Sequence, residues 1–223
     1  MSEVLQVLLY GLLAAASPTV LLATLAALST RRARANGSAF AGGFLLGQSI
    51  GLAVPLLIGA SSVPSSGSNS TVSAWFQLGV GLLLLAAAYR ARQARPASEV
   101  NGASRTTALL ARLTRVTPRT AFSIGVPLGI GVKRLIISIL AASTIALSGL
   151  SDSEEFGLGL LYVLVASLLV WLPVAVYLIA GKRADGWVTS SEEWLAANKR
   201  RLTFFSSLVF GVLFVIGALV QLL

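Results

Sequence analysis

The chain of 223 residues contains no cysteine and no histidine. These two absences exclude disulfides, thiol redox chemistry, Cys or His zinc ligation, and His acid–base catalysis. Charge is also scarce. Only 11% of residues are charged, against about 25% in a soluble domain. Acidic residues number 8 against 17 basic ones, a net charge of +9. So basic a chain invites a nucleic-acid reading. The arginines, however, sit between long apolar runs, and no nucleic-acid partner is expected. What the chain has in abundance is apolar residues, at 56% of the sequence, with a mean hydropathy of +0.84.

A membrane-crossing helix needs about 20 mostly apolar residues. Six stretches qualify: 5–29, 40–60, 72–89, 121–147, 157–180 and 202–222. None has a charged face, so all six are expected to be buried in the bilayer. The first lacks a basic n-region and is too long for a signal peptide, so it reads as a retained helix.

The basic residues lie almost wholly in three of the connections. Arg31, Arg32 and Arg34 follow the first span. Arg90, Arg92, Arg95, Arg105, Arg112, Arg115 and Arg119 separate the third from the fourth. Lys182, Arg183, Lys199, Arg200 and Arg201 precede the last. The remaining connections and both termini have no Lys or Arg. By the positive-inside rule the basic side is cytoplasmic, which places both termini on the outer side of the membrane.

Three spans on either side of one basic loop, entering from opposite sides, form the pattern of an inverted-topology repeat. The expected fold is therefore an all-α integral membrane protein with six transmembrane helices in 3+3 arrangement. Residues 1–89 form the first repeat and 120–223 the second. Residues 90–119 form the basic loop, part of it either an interfacial helix or a solvated linker.

Lys133 and Arg134 are the sharpest chemical feature. Arg119 precedes them by 14 and 15 residues, about 21 Å along a helix. A cation at that depth costs about 2.5–3.5 kcal/mol. No span contains Asp or Glu, so the compensating partner is water, helix C-terminal carbonyls or an anionic substrate. If the fourth span begins later, both side chains instead snorkel to the cytoplasmic face. Pro127, Gly129 and Gly131, just before the pair, are poor helix formers. Ser17-Pro18 supplies a matching interruption in the first span. Helices one and four are thus expected to be broken or kinked, lining a cavity between them. Gln48 is the amide set deepest in the interior of a span; it faces that cavity or bonds a neighbouring backbone. Gly43, Gly47 and Gly51 form a close-packing stripe, either inside the chain or in a homo-oligomer. Trp187 suits an interfacial anchor, and Trp171 suits core packing. Without carboxylates in the spans, no metal site and no cofactor is expected.

Ser17-Pro18, followed by the stretch from Arg31 to Gly47 with its Arg-Ala-Arg-Ala-Asn-Gly run, resembles the glycopeptidolipid- and sulfolipid-addressing (GAP/Sap) proteins of the LysE exporter superfamily. The similarity covers nearly the whole chain. The family's fourth span resembles an Asn-Pro-Lys-Asn motif. Here the aligned residues are Gly131, Val132, Lys133 and Arg134, so the lysine is kept and the flanking residues differ. The resemblance implies export of envelope glycolipids in mycolic-acid-bearing bacteria, often beside a larger lipid transporter or synthase. Three functions follow as alternatives: translocation of an anionic lipid, export of an amino-acid-type solute, and non-transporting assembly. None is enzymatic.

The topology is directly testable. In this Cys-free chain, single cysteines at positions 95 and 182 should be modified only from the cytoplasmic side, and one at position 66 only from outside. Labelling at 66 from inside alone overturns the orientation.

Overall fold

The computed structural model describes residues 3–62 and 117–222, with isolated positions between 78 and 89. The third span and the basic loop lie mostly or wholly outside the described residues. Eight α-helices are described: α1 (Glu3–Ala15), α2 (Pro18–Leu28), α3 (Ala33–Ser62), α4 (Pro118–Ile130), α5 (Val132–Ala146), α6 (Asp152–Ala166), α7 (Leu168–Ala180) and α8 (Asp185–Leu222). No strand occurs among them. The chain divides into two compact units. One is Met1–Val63 with Ala108–Leu195, and the other is Pro64–Thr107 with Ala196–Leu223. In the second, the described residues are chiefly the end of α8, where Phe204 and Phe205 meet edge to face. All that follows concerns the first unit.

By length and composition, α3 is apolar enough over Ala33–Leu57 to cross a membrane. Three further crossings are possible if α1–α2, α4–α5 and α6–α7 each form one bent span. The bends are 62°, 59° and 70°. The outer faces of these helices are apolar, with Leu57, Phe156 and Ile179 at least 74% exposed. Such surface is tolerable in lipid and costly in water.

Local sequence explains where the helices start and stop. Ser17 is extended because Pro18 disfavours helical backbone before it, and Pro18 then opens α2 at its first turn. Pro118 opens α4 in the same way, with the Thr117 side chain accepting from the Thr120 amide. Gly131, at φ −24° and ψ 142°, leaves helical backbone and separates α4 from α5. The start of α6 is a capping box of Ser151 and Glu154. Gly181, at φ +58°, ends α7 where a side chain would be strained.

The break at Ser17-Pro18 and the one at Gly131 agree with the sequence. Pro127 and Gly129 do not break the chain; both lie inside continuous α4. A third bend, at Ser167 between α6 and α7, has neither Pro nor Gly at its centre and is not foreseen. The stretch corresponding to the second span stays continuous in α3 through Pro55.

The core of this unit is the parallel pair α3 and α4. A Cβ on Gly43 would overlap the Phe122 carbonyl, and one on Gly47 the Val126 carbonyl. From the other side, a Cβ on Gly125 would come within 2.8 Å of the Phe44 amide nitrogen, and one on Gly129 within 2.9 Å of that of Gln48. Two glycine stripes therefore face each other and bring the backbones into contact. Gly51 faces Ser138 on α5. Because α3 and α4 run in the same direction, Arg31, Arg32 and Arg34 lie at the same end as Arg119.

Gly47→Ala should lower thermal stability in detergent by about 1–3 kcal/mol through overpacking. Gly42→Ala, on the same helix but with open space around it, should be neutral or slightly stabilising. Equal effects at the two positions would contradict the packing.

Candidate functional site

A helix that bends inside hydrocarbon releases carbonyls from their i+4 amide partners, and each must find another donor. Two of the three bends in this unit, α1–α2 and α6–α7, do so with side chains. The Lys133 ammonium donates to the carbonyl of Ala16, at the α1–α2 break, at 3.2 Å. The Arg134 guanidinium donates to the carbonyl of Ala166, at the α6–α7 bend, at 3.2 Å. The Trp171 indole donates to Leu164, two residues earlier on the same bend, at 2.9 Å. Trp171 therefore caps a bend rather than simply filling core.

Lys133 and Arg134 themselves follow the third break, at Gly131, and occupy the first turn of α5. One residue pair thus ties together the interruptions of three helix pairs. Arg134 is only 5% exposed, and its guanidinium carbon lies 4.7 Å from the Phe44 ring centroid, a cation–π contact onto α3. Lys133 is partly buried.

Beside Arg134 is a second layer of polar groups. Gln48, fully buried on α3, donates to the Ser138 hydroxyl at 3.1 Å and the Tyr162 hydroxyl at 3.4 Å. Those two hydroxyls are 3.0 Å apart. This cluster joins α3, α5 and α6. Its remaining acceptor, Gln48 Oε1, and the Ser167 hydroxyl are buried without a hydrogen-bond partner among the described residues.

The electrostatics of the site are one-sided. The N-terminal turns of α2, α5 and α7 each begin at a bend, and each contributes the positive end of a helix dipole. Lys133 and Arg134 add two formal charges. The described acidic residues lie elsewhere, in the opening turns of α1 and α6 and the first part of α8. Carbonyl oxygens offset part of this field, but no carboxylate does. A site of this kind favours an anion.

Among the residues expected from sequence, Lys133, Arg134, Gly131, Ser17 and Pro18 are brought together at the bends. Gln48 joins through its polar layer. Pro127 is exposed on α4, and Gly129 packs on α3, so neither belongs to this group. Two cavities in this unit are lined by other residues and do not include Lys133. Phe44, Ser138, Tyr162 and Ser167 were not singled out by sequence. A faint signal exists for Ser138, which lies four residues after Arg134 and so on the same helical face.

The model of one protein family, described as Sap, sulfolipid-1-addressing protein, matches residues 7–219. No curated protein matches the chain, and no solved structure does.

Arg134→Met should remove the donor at the α6–α7 bend and leave the Ala166 carbonyl in an apolar setting. A loss of about 1.5–3 kcal/mol is expected, read by tryptophan fluorescence during denaturation in detergent. Arg134→Lys should lose less. A neutral Arg134→Met would show that the bend does not depend on this bond.

Proposed function

The chain belongs to the sulfolipid-1-addressing protein family, and from that premise we propose that it carries an anionic envelope lipid across the membrane, alone or beside a larger lipid transporter or synthase. Family membership supports a part in lipid export or its assembly. Lys133 and Arg134 support the finer reading.

The observation that carries it is the bonding of Lys133. Its ammonium donates to a backbone carbonyl at a helix break, with no carboxylate among the described residues to neutralise it. A neutral carbonyl satisfies one of three ammonium donors and leaves the charge uncompensated. A sulfate, phosphate or carboxylate headgroup would compensate it, with the N-terminal turns of α2 and α5 adding oriented dipoles. Arg134 is more deeply buried and engaged with both Ala166 and Phe44, so its role in this scheme is to hold the bend. Ser17 and Gly131 set the two breaks that bring the start of α2 and the start of α5 to the headgroup. The acyl chains remain in lipid while the headgroup passes. The six-span inverted repeat of the LysE superfamily, with spans one and four facing each other, is the architecture in which such a passage alternates between the two membrane faces.

The test is transport in proteoliposomes with labelled anionic lipids, zwitterionic lipids and amino acids. Anionic lipid should move. Lys133→Ala should abolish its movement in a folded, inserted protein, and Lys133→Arg should retain part of it, since a planar fork replaces a compact ammonium. Normal transport by Lys133→Ala, or movement of amino acids alone, would overturn the proposal.

A further inference from the structure

Two cavities share the α2, α7 and early α8 walls, at the end of the unit that carries the arginines. The first, of about 770 Å³, is lined by the turn between α2 and α3, including Arg31, Arg32 and Arg34, and by Tyr177 and Asp185. Asp185 is its one carboxylate, and it already accepts the Tyr177 hydroxyl at 2.8 Å. At its edge the Glu192 carboxylate accepts the Ser29 hydroxyl at 2.8 Å; three arginines against these two engaged carboxylates still leave the cavity net cationic. The second, of about 650 Å³, is apolar. Leu25 of α2, Leu172 and Val176 of α7, and Trp187 and Trp194 of α8 form its walls.

The same three helices line both. Val176 faces the apolar groove and Tyr177 the basic cavity; Trp187 faces the groove and Val188 the cavity. One wall therefore has an anion-attracting side and a chain-accepting side. Trp187 and Trp194, both substantially exposed, border the groove with the indole chemistry of the membrane–water boundary. Positive-inside charge alone accounts for arginines at this end. It does not account for an apolar groove built against them.

We propose that this end of the protein is a docking site for one anionic lipid, its headgroup among Arg31, Arg32 and Arg34 and an acyl chain in the groove over Val176. The site rests on the lipid-transport reading and extends it, because it supplies the place where the substrate is captured before its headgroup reaches Lys133. A soluble anion would leave the groove empty, and a zwitterionic lipid would gain little from the arginines. An anionic amphiphile uses both.

The experiment uses the full chain with Trp75→Phe and keeps Trp171, whose indole holds the α6–α7 bend; the signal of Trp187 and Trp194 is taken as the difference from the same chain carrying Trp187→Phe and Trp194→Phe. It is placed in phosphatidylcholine nanodiscs containing increasing fractions of lipid brominated on its acyl chains, either phosphatidylglycerol or phosphatidylcholine. Bromine quenches the indoles on contact. Half-quenching should occur at a fraction of phosphatidylglycerol at least about fivefold lower than of phosphatidylcholine, the scale expected for one arginine at an anionic headgroup. Arg31→Gln with Arg34→Gln should abolish that preference. Val176→Asn, which leaves every arginine in place, should also reduce it by making the groove polar. Equal quenching by the two lipids overturns the proposal. So does a preference that survives Val176→Asn, which would reduce the arginines to general surface attraction. Lys133→Ala should leave the preference intact. If Lys133→Ala also transports normally, the central reading fails while the docking site stands; if transport needs Lys133 but quenching shows no preference, the reverse holds.

Discussion

Freed backbone carbonyls in an apolar medium are the constraint on which this unit depends. At the α1–α2 and α6–α7 bends carbonyl oxygens lose their helical amide donors, and the apolar side chains around them offer none in exchange. Lys133, Arg134 and Trp171 supply the replacements at Ala16, Ala166 and Leu164. The relation works in both directions. The carbonyls make buried cations tolerable, and the cations make broken helices tolerable. Each offsets part of the cost of the other, and so the residues most costly to bury lie where the backbone is most irregular.

The two cations divide this work unequally. Arg134 reaches one bend, lies over Phe44 and borders the Gln48–Ser138–Tyr162 cluster, so its surroundings bind it on several sides. Lys133 has one backbone partner and more exposure. On the proposed function, that difference separates a group that maintains the architecture from one free to exchange its carbonyl for a substrate. An ammonium suits exchange, because its three donors are not bound to one geometry.

Much of this arrangement is legible in the sequence, and the remainder is hidden for identifiable reasons. Pro18 and Gly131 announce their breaks because both act on their own backbone. The bend at Ser167 has no such residue; it is held by a guanidinium 32 positions upstream in sequence and an indole on the next helix. Tertiary contacts of that kind leave no local trace. That Lys133 and Arg134 meet helix-end carbonyls is one of the alternatives open from sequence; which carbonyls they meet is not legible there, because every residue has one. The glycine stripe of α3 is plain in its spacing, yet spacing does not name a partner. Gly125 and Gly129 repeat the interval four residues apart, and that repetition is the signal; in the sequence it reads instead as a weak helix. Gln48 was expected at a cavity or on a backbone group, and it is found bonded to two side-chain hydroxyls.

The contact between α3 and α4 has a mechanical consequence. Where glycine meets backbone there are no side chains to change rotamer and no soft layer to shear. One helix cannot slide along the other by a fraction of a turn without driving Cα atoms into carbonyls. The next comfortable register is a whole small-residue repeat away. The pair behaves as a stator: a stiff two-rod frame whose internal motions are effectively quantised. Any displacement is therefore diverted away from it, into the α1–α2 and α6–α7 bends, whose freed carbonyls are held by only a few side-chain hydrogen bonds. In such a frame, compliance is concentrated where the cations are, and a change in what they bind is the change best placed to move the helices beyond the bends.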